Sequence, residues 1–221
     1  MIPEAPPYIA FYDLDRTILS ENSATHLVKE ARSRGIMSDR QYRQALFLSL
    51  LHLLHLGDPV RMIGRMLGWI RGLEVEVIDT LCRDIVEDRL RHLIRPAIRE
   101  SMAGHRAKGA SVVLLSSAAR PLCEPMGNHL AFDAILCTDL EQEKGVLTGR
   151  TRGRLAYARE KQRRMLAHCL QQGQEPRLAW YYGDSISDRF VMQAVGNPVA
   201  VAPDRRLARL ARRLGWEILP D

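Results

Sequence analysis

Short apolar runs alternate along the chain with longer stretches of helical periodicity, and this alternation constrains the fold more than any other feature. The runs are rich in β-branched and aromatic residues and lie at 8–12, 111–115, 134–137, 178–182 and 198–201. Each is nearly all apolar, which is typical of parallel strands covered on both faces. Helical patterns separate them, at 96–108, 119–130, 155–171, 186–194 and 205–214. This order predicts an α/β fold with a doubly wound parallel sheet.

One interval lacks the alternation. Between residues 20 and 92 three or four helical patterns follow one another without a strand, with breaks at 35–39, 57–59 and Gly72. A crossover between parallel strands needs only about a dozen residues. We therefore expect an inserted all-helical domain at 20–92 and a discontinuous core made of 1–19 and 93–221. Within that core, residues 141–150 carry a turn signal between two short segments and predict a small hairpin.

Charge and cysteine content narrow the class of protein. The net charge is +6, but the basic residues are spread through every segment, which favours a solvated basic surface over a nucleic-acid interface. The four cysteines form no C-x-x-C pair and lack a histidine at metal-ligand spacing, which argues against disulfides and zinc and suits a reducing cytosol. No signal peptide is recognisable, and the longest apolar stretch, 45–56, is shorter than the ~20 residues of a spanning helix. We expect a cytoplasmic protein without a transmembrane segment.

Two aspartates follow the first predicted strand. In an extended chain, residues two apart project to the same side, so we expect the carboxylates of Asp13 and Asp15 to share one side. Open α/β sheets bind ligands at the carboxyl ends of their strands. Two carboxylates there repel each other unless they share a cation or one is protonated. The pair indicates either a cation site or turn and cap chemistry at a strand end.

Further polar groups follow two other strands. Ser116 and Ser117 lie at a strand-to-helix turn, where hydroxyl and backbone N–H groups can hold phosphate oxygens, although a serine there can also simply cap the helix. Asp184 and Asp188 could ligate Mg²⁺, which prefers carboxylate oxygens; alternatively they cap a helix and interact with its dipole. Lys161 lies in the preceding helical pattern, either as a phosphate-binding cation or on a solvated face.

In combination and order, these motifs resemble the haloacid dehalogenase superfamily of aspartate-nucleophile phosphatases, in its phosphoserine-phosphatase-like branch. The matching residues are Asp13-Leu14-Asp15-Arg16-Thr17, Ser116, Lys161 and Gly183-Asp184-Ser185-Ile186-Ser187-Asp188. The resemblance covers essentially the whole chain, because the helical insert follows the first motif as the cap of that branch does. It implies a Rossmann-like core with a helical cap and Mg²⁺-dependent hydrolysis of a small phosphorylated metabolite.

The resemblance also implies a role for each matching residue. Asp13 would attack phosphorus and form an aspartyl-phosphate, and Asp15 would act as the general acid and then the general base. Mg²⁺ would be held by the Asp13 carboxylate, the Asp15 backbone carbonyl and Asp184, with Asp188 acting behind them. The phosphoryl oxygens would be held by Ser116 and Lys161, and Ser117, beside Ser116 at the same turn, is a further candidate for phosphate binding.

One departure from the branch bears on the substrate. Phosphoserine phosphatases carry a glutamate seven residues after the second aspartate of the first motif, where it binds the substrate amino group, and this chain has Asn22. We therefore expect a poor phosphoserine phosphatase, with Asn22, His26, Phe47 and Arg61 as candidate contacts of the leaving group. The alternatives are phosphoserine phosphatase itself, a phosphotransferase or mutase using the same chemistry, and a non-catalytic anion-binding module.

Overall fold

The computed structural model of the chain describes residues 7–53 and 58–220. The strands are β1 (Ile9–Tyr12), β2 (Ser111–Ala119), β3 (Ala134–Thr138), β4 (Leu140–Glu143), β5 (Val146–Thr151), β6 (Trp180–Gly183), β7 (Asn197–Val201) and β8 (Glu217–Leu219). The helices are α1 (Ser23–Ser33), α2 (Asp39–Leu53), α3 (Pro59–Met66), α4 (Val75–Asp88), α5 (Pro96–Ala107), α6 (Arg120–Leu130), α7 (Arg159–Gln171), α8 (Arg189–Met192) and α9 (Arg205–Leu214).

Six strands form one parallel sheet in the order β3-β2-β1-β6-β7-β8. The central strand β1 is buried on both faces: Ala10 and Tyr12 pack into the core that includes α5 and α6, while Ile9 and Phe11 pack into the core under α7, α8 and α9. This confirms the predicted doubly wound α/β fold. The chain runs outward from β1 in one direction and from β6 in the other, so the carboxyl ends of these two strands border the point where such sheets bind ligands.

The helices α1 to α4 lie in the sequence between β1 and β2, and no strand is assigned in the described part of that interval. The two connections to the core pair with each other: Ser20 N donates to Leu93 O and Arg95 N donates to Ile18 O, both at 2.9 Å. The chain thus leaves and re-enters the core at one place. This pairing supports our proposal that residues 20–92 form a cap domain.

The predicted hairpin is confirmed as β4 and β5, which pair antiparallel. Its second strand also contacts the cap, since Gly72 N donates to Leu147 O at 2.9 Å and Leu147 N donates to Leu73 O at 2.8 Å. These bonds attach the helical segment to the core at a second place, away from its two connections.

The predicted apolar stretch 45–56 belongs to α2 as far as Leu53, and residues 54–56 lie outside the described part of the chain. Among the described helices, none combines the length and the apolar character needed to cross a bilayer.

Candidate active site

A tight turn after β1 positions the first two aspartates. β1 ends at Tyr12, before both aspartates. Asp13 makes one further hydrogen bond to the neighbouring strand, since its N–H donates to Tyr182 O at 3.0 Å. Asp15 is extended, and Arg16 is left-handed, with φ of 59°. The orientation of the two carboxylates is therefore set by this turn, and our argument from strand alternation was wrong. The Asp15 carboxylate accepts a hydrogen bond from Ser23 N at 2.7 Å.

Three carboxylates meet around one lysine at the ends of β1 and β6. Oxygens of Asp13, Asp184 and Asp188 all lie within 4.8 Å of one another. Lys161 Nζ is 2.9 Å from Asp13 Oδ2 and 2.9 Å from Asp188 Oδ1, and the lysine is only 2 % exposed. Three negative charges and one positive charge leave a net charge of −2 when all four groups are ionised. The cluster is therefore electrostatically suited to a divalent cation.

Burial and mutual repulsion perturb this cluster strongly. Burial raises the pKa of Asp13 to about 6, with the neighbouring carboxylates adding to the rise and Lys161 opposing it. Burial, together with repulsion from Asp188 and Asp13, raises the pKa of Asp184 to about 8. Burial opposes the charge of Lys161, but Asp13 and Asp188 outweigh it and hold the pKa of the lysine above its usual value. The raised pKa values mean that protons and a cation compete for these carboxylates.

The chemistry of the donors fits Mg²⁺, which prefers carboxylate oxygens and water. Asp188 Oδ1 is already engaged, because it accepts hydrogen bonds from Lys161 Nζ at 2.9 Å and from Tyr181 Oη at 2.8 Å. In contrast, no described residue donates a hydrogen bond to the Asp184 carboxylate. Asp184 is therefore better placed as a direct ligand than Asp188.

The two serines after β2 differ in what their hydroxyls do. Ser116 is buried and its Oγ accepts from Ala118 N at 3.2 Å, which leaves its hydroxyl hydrogen available to a phosphate oxygen. Ser117 Oγ donates to Ala156 O at 2.8 Å and so holds the loop that precedes α7. This bond uses the hydroxyl hydrogen of Ser117, so its predicted phosphate contact is restricted to the backbone N–H.

The predicted leaving-group contacts are partly engaged elsewhere. Asn22 Oδ1 accepts from Thr25 N at 3.3 Å and caps α1. His26 Nε2 lies 2.9 Å from Glu21 Oε2, a pairing that the sequence did not indicate. On the helices α2 and α3, the side chains predicted to close over these residues are exposed: Phe47 and Arg61.

Two residues that support the site were missed in the sequence. Tyr181 Oη bridges the cluster, accepting from Lys161 Nζ at 3.3 Å and donating to Asp188. Asp204 holds the loop after β6, because its carboxylate accepts from Ile186 N at 2.7 Å and its N–H donates to Asp184 O at 2.8 Å. The sequence signal for Tyr181 was its place beside Tyr182 on β6, because adjacent residues of a strand project to opposite faces of the sheet. Asp204, in contrast, has the sequence of an ordinary helix cap.

Comparisons with known proteins bear on the family and the fold of the chain. A family model described as haloacid dehalogenase-like hydrolase matches residues 10–193. The "Inhibition of morphological differentiation protein" of Streptomyces azureus is 29% identical, over 97% of this chain and 78% of that protein. Phosphoserine phosphatase SerB1 of Mycobacterium tuberculosis is 28% identical, over 95% of this chain and 69% of its own length. A crystal structure of a Bordetella pertussis Tohama I protein of unknown function has a TM-score of 0.87 at 21% identity, covering 96% of this chain and 97% of that one, and supports the fold.

Proposed function

Because the chain belongs to the haloacid dehalogenase-like hydrolase family, we propose that it hydrolyses small phosphomonoesters through an aspartyl-phosphate on Asp13, with Mg²⁺ as cofactor. The observation that carries this proposal is the position of the Asp13 carboxylate. It lies at the carboxyl end of the central strand, 2.9 Å from a buried lysine and within a cluster of acids. A nucleophile, a cation for phosphate and ligands for a metal are thus all within reach of one bound phosphoryl group.

In the first step, an Asp13 oxygen forms a bond to phosphorus while the bond from phosphorus to the alcohol oxygen breaks. Asp15 donates its proton to that departing oxygen. In the second step, Asp15 takes a proton from water, whose oxygen attacks phosphorus and releases Asp13 and inorganic phosphate. Burial raises the pKa of Asp15, which favours the protonated form that the first step requires.

The other residues bind and orient the phosphoryl group. Lys161 supplies a full positive charge beside Asp13, and Ser116 supplies a hydroxyl donor. The proposed metal ligands are the carboxylates of Asp13 and Asp184 and the backbone carbonyl of Asp15. When bound, Mg²⁺ neutralises charge between the nucleophile and the phosphomonoester. Asp188 acts indirectly, by holding the Lys161 ammonium.

The residues at the start of α1 favour a substrate other than phosphoserine. Asn22 stands where relatives place the glutamate that binds an ammonium, and its side-chain oxygen caps α1. The neighbouring Glu21 carboxylate is paired with His26 at 2.9 Å. No unpaired carboxylate remains among these three residues for a substrate amino group. We propose a phosphomonoester whose leaving group lacks that amine.

The test compares Asp13→Asn with a surface control, Asp39→Asn, whose parent side chain is 68% exposed. Turnover of an aryl phosphate is measured with Mg²⁺ and with EDTA, and circular dichroism checks the fold. We expect Asp13→Asn to lose more than ~10³-fold in kcat, as expected when a covalent nucleophile is removed, and the control to keep its activity. Activity retained by folded Asp13→Asn, or undiminished in EDTA, would contradict the proposal.

A further inference from the structure

Helix α2 carries an exposed apolar patch on the cap. Its buried side contains Ala45 and Leu48, which are 5% exposed. On its other side Leu46, Phe47 and Leu50 are 46%, 59% and 51% exposed. Single exposed leucines are ordinary, but three large apolar side chains within five residues of one helix form a continuous patch of the kind found at interaction sites.

Two arginines lie on the same face as this patch. At 100° per residue, Arg40 and Arg43 fall with the three apolar residues in a sector about 120° wide. Both arginines are exposed, and no described residue forms an ion pair with either. The basic and the apolar side chains are separated along the helix axis, since the arginines lie in the N-terminal half of α2 and the apolar residues follow them.

We propose that this face of α2 docks on the surface of a lipid bilayer that contains anionic phospholipids. Phe47 follows Arg40 by seven residues, which is about 10 Å along the helix axis. An amphipathic helix at a bilayer surface buries its apolar side chains about 5–10 Å into the boundary between headgroups and acyl chains. A tilted α2 would therefore place its arginines at the phosphates, which guanidinium groups bind well, and Phe47 with Leu50 below them.

A second copy of the chain fits this face less well. In a two-fold contact the same patch meets itself, so the two copies would bring four arginines, Arg40 and Arg43 of each, into one interface. The acid on α2 that could offset them, Asp39, is hydrogen-bonded to Arg32 at 2.7 Å. The unpaired positive charge thus selects an anionic partner.

The experiment is flotation of the purified full chain with vesicles of phosphatidylcholine alone and of phosphatidylcholine mixed with phosphatidylserine. The variants are Phe47→Ser with Leu50→Ser, and Arg40→Gln with Arg43→Gln. The matched control is Leu170→Ser with Leu178→Ser, two surface residues outside the cap that are 82% and 51% exposed. Circular dichroism verifies that each variant is folded.

We expect binding to the phosphatidylserine vesicles that weakens as salt is raised. The arginine variant should bind about 25-fold more weakly, at about fivefold for each arginine near an anionic surface, and the apolar variant at least ~10-fold more weakly. The control should bind like the parent chain. Three results would each overturn the proposal. The parent chain does not bind the mixed vesicles, both α2 variants bind them as the parent chain does, or sedimentation shows a dimer that the substitutions Phe47→Ser and Leu50→Ser dissociate.

Discussion

Replacement of Lys161 by methionine should destabilise the metal-free protein. The ammonium of Lys161 lies 2.9 Å from both Asp13 and Asp188 and is nearly inaccessible to solvent. Methionine keeps much of the side chain but leaves the carboxylates without this cation. Two like charges 4.8 Å apart, the limit of the cluster, repel by about 3.5 kcal/mol at an effective dielectric constant of ~20. Removal of one partner from a buried ion pair costs about 3–5 kcal/mol, and we expect that loss of unfolding free energy in EDTA at neutral pH.

The loss should depend on pH in a specific direction. The pKa of Asp13 is about 6 and that of Asp184 about 8 in the folded chain, and loss of Lys161 raises both further. Between the unfolded value near 4 and these folded values, the folded state binds more protons than the unfolded state. The unfolding free energy therefore falls as pH rises through this window. The deficit of Lys161→Met should be smaller at pH ~5, where Asp13 and Asp184 hold protons, than at pH ~8.

The assay is urea unfolding followed by tryptophan fluorescence at both pH values, with EDTA and with saturating Mg²⁺. Mg²⁺ at 100 times its dissociation constant stabilises a protein by about 2.7 kcal/mol, and it should restore more stability to Lys161→Met than to the parent chain. Arg163→Met, whose parent side chain is 67% exposed two positions along α7, is the control. An equal deficit at both pH values that Mg²⁺ leaves unchanged would mean that Lys161 contributes packing alone, and the charge argument would be refuted.

Three further results are expected. Asp184→Asn should raise the Mg²⁺ concentration for half-maximal activity more than Asp188→Asn does, because Asp188 already binds Lys161 and Tyr181; the reverse order in a metal titration would exchange their roles. kcat/KM for phosphoserine should be at least ~100-fold below that for an alkyl phosphate whose alkyl group carries no charge, since a desolvated ammonium without a partner is costly. Asn22→Glu should reduce this difference in kcat/KM, and a clear preference for phosphoserine in the parent chain would refute the argument. Gly196→Ala should lower the unfolding free energy by ~3 kcal/mol or more, because its Cβ would overlap the Arg177 carbonyl oxygen; urea unfolding that matches the parent chain would contradict it.

The sheet and most helices were predictable where burial and capping act together. α9 begins and ends where the sequence predicted, because Asp204 caps its first turn and Gly215 ends it in a left-handed conformation. β8 was missed because its three residues are only partly apolar and pair with β7 alone at the sheet edge. The predicted helix at 155–171 starts only at Arg159, since Ala158 before it adopts φ of 49°.

The residues of the candidate site can be proposed from the sequence, but the geometry in which the structure arranges them cannot. Chain order brought Asp13 and Asp184 to neighbouring strand ends, which follows from the topology of a doubly wound sheet. The turn that directs Asp15 to Ser23 N depends on a left-handed Arg16, a conformation that is unfavourable for a non-glycine residue and that the sequence therefore does not predict. Likewise, the Ser117 hydroxyl donates to Ala156 O, 39 residues away. Such a long-range hydrogen bond cannot be predicted from the local sequence.

The central claim is that phosphate passes through a covalent bond to Asp13, and trapping that species tests it most directly. In the variant Asp15→Asn, Asp13 should still accept the phosphoryl group from an aryl phosphate, because that leaving group needs little protonation. The phosphorylated Asp13 should then be hydrolysed slowly, because the variant lacks the general base. After acid quenching and proteolysis, we predict that the peptide containing Asp13 gains the mass of one phosphoryl group, and that Asp13→Asn gains none. Turnover without a phosphorylated peptide, or a phosphoryl group on any other residue, would contradict the account.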